Sequence, residues 1–382
     1  MNRQTTTPVS SRARAIHFQG FNRAVFIVLM TTLVWLVLGA LAANAQPASP
    51  LQAAQQQQQQ LQLQQLQQQQ QLQQAMQNPQ SAPGTLTINQ QMPSNDPGIS
   101  LGNPLSYKWR VGVQIQTGDR PCKNLRLTIP VPVDWPEQVV EIDEESIPVQ
   151  FTDLDYRDGE SGIRQIVAGI RHIDANTEVT MTVTYNVQVS PINGPTDTSI
   201  YSIPEEVPRE LRQYLGTSPG ITFRNSKMRR QVREIVAEHE MAWNQVEGIY
   251  DWIRDNVEYR QITMSDSLSV FRAGEGCAED LVGLFVAMCR AHEVPARMVW
   301  VDGHQYAEFY LADNTGEGHW FPCNVAGLRD FGSISDPRII LQKGDDIDVP
   351  EKSESQRYVA EHLSGSGNVK PAVRFIRLML PN

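Results

Sequence analysis

Cysteine is scarce in this chain: Cys122, Cys277, Cys289 and Cys323 are the only four in 382 residues. Four widely spaced cysteines do not make a disulfide framework, and a chain of this length can bury a core without one. A Cys-x-x-Cys pair is absent. A metal site drawn from Cys277, His304, His319 and Cys323 would match no zinc spacing, so no metal and no other cofactor is expected. At least one cysteine is better explained by reactivity. Clustered basic residues are missing too. The formal net charge is −10, and without the four arginines of the N-terminal segment it would be −14. So acidic a chain is a poor partner for nucleic acid, and it suits a soluble body rather than a membrane-surface binder.

The apolar fraction, 40%, is low for a globular chain, because one long glutamine tract can bury nothing. Ahead of that tract come Arg3, Arg12, Arg14 and Arg23, an apolar run from Ala24 to Ala43, and then Ala43-Asn44-Ala45. A basic stretch, an apolar run and a small-residue site in that order match an export signal over residues 1–45. The run approaches the ~20 residues that span a bilayer, so an uncleaved anchor is the alternative to the cleaved signal that the Ala-x-Ala pattern favours. Either way the expectation is an exported body, periplasmic, extracellular or anchored outside the cytoplasm, with any membrane tether confined to this segment.

Residues 46–103 read as a low-complexity linker. The leucines in its glutamine tract, Leu61, Leu63, Leu66 and Leu72, keep no heptad, and Pro79, Pro83, Pro93 and Pro97 break any helix before the first folded element. Over 104–195 the pattern changes to short runs of strand formers, among them Trp109–Ile115, Leu125–Val131, Ile163–Val167 and Val179–Val187. Their period-two alternation predicts an antiparallel β-sandwich. Residues 196–382 read as a second domain, opened by amphipathic helices over 228–239 and 242–257. The stretch 261–276 has few periodic apolar residues and ends in Ala-Gly-Glu-Gly, which suggests a flexible approach to the next helix.

The chemistry concentrates at that next helix. Leu281, Leu284, Phe285 and Met288 follow Cys277 at helical spacing, so Cys277 falls at a helix N-terminus. Unpaired amides and the helix dipole there are expected to favour thiolate over thiol. Gly274 and Gly276 would let a substrate backbone come close. A thiolate nucleophile needs a proton carrier and a group that orients it. His304 lies between two strand-like runs and is the best carrier, and His319, in a turn-like segment, is its rival. The orienting role falls to Asn324, Asp313, Asp302 or Asp330, which sequence spacing does not rank. Cys122, Cys289 and Cys323 read as packed core cysteines.

The run from Gly274 to Arg297, Gly-Glu-Gly-Cys-Ala-Glu-Asp through Val-Pro-Ala-Arg, resembles the nucleophile helix and following turn of the transglutaminase-like superfamily. His304-Gln-Tyr-Ala-Glu resembles its His-x-Trp-Ala-Glu strand, with Tyr306 at the aromatic position. Trp320-Phe-Pro-Cys-Asn resembles its Trp-x-Pro-x-Asp segment, with Asn324 where the family usually has aspartate. The likeness covers roughly residues 225–350. It implies an α+β, papain-like core preceded by the β-sandwich, and a triad of Cys277, His304 and Asn324. The implied activity is thiol acyl transfer on peptide or glutamine amides in a peptide or protein substrate, hydrolytic by preference, with transamidation as its variant. The alternative is a binding module that has kept the fold and lost the chemistry.

Overall fold

The computed structural model describes residues 98–381, apart from 160–161 and 366–369. The signal or anchor expected over 1–45, and nearly all of the linker expected over 46–103, lie outside the described residues.

The alternating runs of the first part form six strands: β1 (Leu105–Gln116), β2 (Cys122–Val131), β3 (Gln138–Ser146), β4 (Phe151–Asp158), β5 (Arg164–Ile173) and β6 (Glu178–Val189). Helices follow: α1 (Ser226–Val236), α2 (Ala242–Asn256), α3 (Ser267–Ala273) and α4 (Ala278–Ala291). The chain then makes β7 (Ala296–Val301), β8 (His304–Ala312), β9 (Gly318–Asn324) and β10 (Ile340–Lys343), and ends with β11 (His362–Gly365) and β12 (Ala372–Leu380). The described residues belong to one compact unit.

Two four-stranded antiparallel sheets, ordered β12-β1-β6-β3 and β11-β2-β5-β4, share one hydrophobic core. Alternation puts Trp109, Val111, Val113 and Ile115 of β1 in that core, with Met181, Val183, Tyr185 and Val187 of β6 beside them. Each such side chain contributes about 1.5–3 kcal/mol by leaving water. The chain end completes both sheets: β11 pairs with β2, and β12 pairs with β1 over its whole length. The stretch after residue 361, which the sequence pattern groups with the second part, thus returns to the sheets of the first. Short apolar strands carry no label for the sheet they join, so only pairing over long range reveals it.

The third sheet is antiparallel, in the order β9-β8-β7-β10, with the two-residue strand Asp330–Phe331 beyond β9. Its face bearing Ala307, Phe309, Leu311, Phe321 and Cys323 packs in one core with α1, α2 and α4. Helix α4 is buried along its whole length from Asp280 to Arg290, beyond the single face its spacing predicts, because sheet, helices and the Ser218–Ile221 turn surround it. The opposite face contributes Val299, Val301, Tyr306 and Ile340 to a smaller cluster with Ile192 and Ile334. Strand β10 joins the layers: Ile340 faces that cluster while its neighbours Ile339 and Leu341 enter the core of the two sheets. Gln138 fastens the same point, donating from Nε2 to the Ile340 carbonyl at 2.9 Å and accepting the Ile340 amide at 2.6 Å.

Candidate functional site

Cys277 is the N-cap of α4, with extended backbone at φ −78° and ψ 176°. Its placement is fixed from both sides. Upstream, Asp266 caps α3 by accepting the amides of Leu268 and Ser269. Gly274 ends that helix at φ +68°, a left-handed position suited to glycine. The 261–276 stretch therefore holds a short capped helix that its weak periodicity hides. Glu275–Gly276 then pair in parallel with Glu258–Tyr259 and deliver Cys277 to the helix start. A Cβ at Gly276 would lie 2.8 Å from the Asp280 Cβ, so this glycine makes room for Asp280.

Asp280 completes a capping box. Its carboxylate accepts the Cys277 amide at 3.0 Å and the Ser265 amide at 2.8 Å, and it is 1% exposed. This changes the electrostatics expected of Cys277. Burial pushes the thiol up from its usual range; the nearby Asp280 carboxylate pushes the same way, while the Asp280 and Glu279 amides that face the sulfur pull it down. Burial and the Asp280 carboxylate thus oppose the thiolate that the helix terminus alone would favour.

His304 opens β8 directly after the Asp302-Gly303 turn, where Gly303 takes φ +69°. Its Nε2 lies 2.9 Å from Asn324 Oδ1. With the amide oxygen facing the ring, Nε2 carries the proton and Nδ1 keeps a lone pair, the tautomer a general base needs. Burial holds the imidazole below its ordinary value, against a smaller upward pull from Asn324. Asn324 ends β9, and its carbonyl is gripped from α2: Tyr250 Oη donates to it at 2.9 Å and Arg254 Nη1 at 3.4 Å. Arg254 also donates to the carbonyls of Val325, at 3.1 Å, and Gly327, at 2.9 Å.

Geometry separates the alternatives that sequence left open. Asp313 binds His319, Oδ2 to Nε2 at 3.0 Å, so the rival histidine has a partner of its own. His319 also sits in β9 rather than in a turn. Asp330 accepts the amide and hydroxyl of Ser335. Asn324 alone among the four candidates hydrogen-bonds His304. Cys277 and His304 make no direct hydrogen bond to each other; α4 packs across β7 and β8, and His304 is the first residue of β8 after the turn of that hairpin. Cys122, Cys289 and Cys323 are 2%, 0% and 0% exposed and serve as core. Among the described residues no group of three metal-ligating side chains converges. Asp280, Tyr250 and Arg254 escaped the sequence reading; only Asp280 had a signal there, as the third residue after a helix cap.

Residues 229–325 match the model of the transglutaminase-like superfamily. No curated protein matches the chain. Among solved structures, the fold is similar to that of a protein from Cytophaga hutchinsonii provisionally named a cysteine protease. That likeness has a TM-score of 0.51 and 17% identity, and covers 74% of this chain and 93% of that one. A protein from Parabacteroides distasonis provisionally named a protease aligns with a TM-score of only 0.24 and 12% identity, over 58% of this chain and 47% of that one. At these identities the first likeness is one of fold, and no argument rests on the second.

Proposed function

We propose that this chain is a thiol enzyme that cleaves peptide or glutamine amide bonds through Cys277, His304 and Asn324. The observation that carries the reading is the 2.9 Å contact between His304 Nε2 and Asn324 Oδ1, which leaves Nδ1 as the basic nitrogen. In the proposed cycle His304 Nδ1 takes the Cys277 proton as sulfur attacks the amide carbonyl. The tetrahedral intermediate collapses, the leaving amine takes that proton, and an acyl-enzyme remains. His304 then draws a proton from water, whose oxygen displaces the sulfur and releases the acid. A raised thiol and a neutral imidazole suit concerted proton transfer better than a standing ion pair. An amine in place of water would give transamidation at the same site.

The substrate is an extracytoplasmic peptide or protein, a placement supported by the signal-like segment 1–45 and the acidic composition. The test is Cys277→Ala in assays of peptide hydrolysis and amine incorporation. Loss of both by about 10³-fold or more is expected, and undiminished activity would sink the assignment. The second reading, a binding module without chemistry, draws on the missing Cys277–His304 bond and on Asp280 beside the sulfur. It predicts that Cys277 of the native protein alkylates no faster near neutral pH than an ordinary exposed thiol.

A further inference from the structure

We infer that Arg357, outside the region of family resemblance, is a positioning residue for Cys277 that sets the charge at the head of α4. This rests on the reading of Cys277 as the nucleophile. Arg357 is 8% exposed and comes from the segment between β10 and β11. Its Nη2 donates to the Glu279 carbonyl at 3.2 Å, and its Nε lies 3.5 Å from Glu279 Oε1 and 3.2 Å from Met298 Sδ. Nη1 is buried and has no hydrogen-bond partner among the described residues. An unsatisfied buried guanidinium nitrogen is costly, so a charge held there against that cost needs a reason beyond packing.

Two glycines make the approach possible. A Cβ at Gly283, one turn after Glu279 on α4, would fall 2.1 Å from Nη2, and one at Gly220 would fall 3.0 Å from Nη1. Glycine inside a helix costs about 0.5–1 kcal/mol relative to alanine, and here it opens the helix surface to the guanidinium. Glu279 and Asp280 stand on α4 beside Cys277; Met298 of β7 and Gly220 of the Ser218–Ile221 turn bring no charge. Asp345, after β10, accepts the Met298 amide at 3.1 Å and is neutralised by Arg290 of α4 at 2.8 Å. Glu279 is pushed up by burial and drawn back by Arg357. Arg357 is therefore the cation that keeps Glu279 from adding its charge to that of Asp280 against the Cys277 thiolate.

Opposite neutralisations should consequently move the thiol in opposite directions. The experiment is iodoacetamide alkylation of Cys277 against pH in the full chain, followed by mass spectrometry. Arg357→Gln should raise the alkylation midpoint by about half a pH unit or more, and Glu279→Gln should lower it by a similar amount. Arg357→Lys, which keeps the charge, should stay near the wild type. Gly283→Ala, which pushes the guanidinium away, should follow Arg357→Gln. Shifts of the same sign in the glutamine variants, or none in either, would overturn the proposal. If Arg357→Gln does not fold, Glu279→Gln decides by its sign, an upward or absent shift refuting the inference. Alkylation reads the thiol itself, so failure here is distinct from failure of the Cys277→Ala hydrolysis test.

Discussion

His304 and Asn324 are joined by one 2.9 Å hydrogen bond, and the backbone carbonyl of Asn324 is itself held by Tyr250 and Arg254 of α2. The imidazole thus faces an amide held both by its strand end, paired with Asp330, and by a helix. Arg254 spans three acceptors on that segment, the carbonyls of Asn324, Val325 and Gly327.

Removing this grip should loosen the imidazole without touching the nucleophile. Arg254→Met is expected to cost about 1–3 kcal/mol in urea unfolding, as the charged hydrogen bonds to the carbonyls are lost. It should lower kcat by up to about 10²-fold through misplacement of His304. An unaltered kcat in a destabilised variant would show that Asn324 keeps its place unaided.

Exchanging the amide for a carboxylate tests the electrostatics. In Asn324→Asp a negative charge replaces a dipole at the same distance from Nε2, which raises the imidazole pKa. The base form is then lost at higher pH, so the acid limb of the kcat/KM profile should move upward, while Asn324→Ala should lower kcat across the whole profile. A stability effect accompanies the wild-type histidine. Burial lowers His304 from 6.5, so below that pH the unfolded chain binds a proton the folded chain refuses. Its contribution is intact above 6.5 and is lost as pH falls through the lower folded value. Urea unfolding of His304→Gln should show a weaker decline over this acid range than the wild type.

Asp280 offers a test of opposite sense. Asp280→Asn removes a negative charge beside the sulfur, so Cys277 should alkylate several-fold faster at pH 7. The new amide nitrogen cannot accept, and one of the two amides now satisfied by the carboxylate, of Cys277 or Ser265, loses its partner at a cost of about 1–3 kcal/mol. Faster alkylation with a lower melting temperature is the expected pair of results. Slower alkylation would mean that the capping box chiefly orders the sulfur rather than opposing its ionisation.

Periodicity made much of this architecture legible. The β1 and β6 alternations, the starts of α1 and α2 and the apolar residues after Cys277 were all readable because each follows from local spacing. The pairing of β11 and β12 with β2 and β1 was not, since that pairing is set by surfaces more than 200 residues away in the chain. At the site, motif order selected His304 and Asn324, but only the fold shows Asp313 bound to His319. Cys277 shows what local spacing leaves out. A helix N-terminus favours thiolate, yet the same first turn supplies Asp280, and burial together with that carboxylate outweighs the amides.

A buried ion cluster ties the two sheets of the first part to the sheet that carries His304. Lys343 of β10 binds Glu137, which precedes β3, and Glu308 of β8 at 2.6 Å; all three residues are at most 4% exposed. Burial alone would push Glu308 up, but Arg297 and Lys343 outweigh it and hold the carboxylate below its usual range. Glu308 has a second cation in Arg297, at 2.6 Å, whereas among the described residues Glu137 pairs with Lys343 alone. Lys343→Met therefore strands Glu137 far more than Glu308, and breaking a buried pair in this way costs about 3–5 kcal/mol. Adding Glu137→Gln removes the stranded charge and should recover a large part of that loss in urea unfolding, while adding Glu308→Gln should recover little, because it strands Arg297 instead. Equal rescue by the two second substitutions would mean that the ion cluster acts as one undivided charge, and that Glu137 is not its weak member.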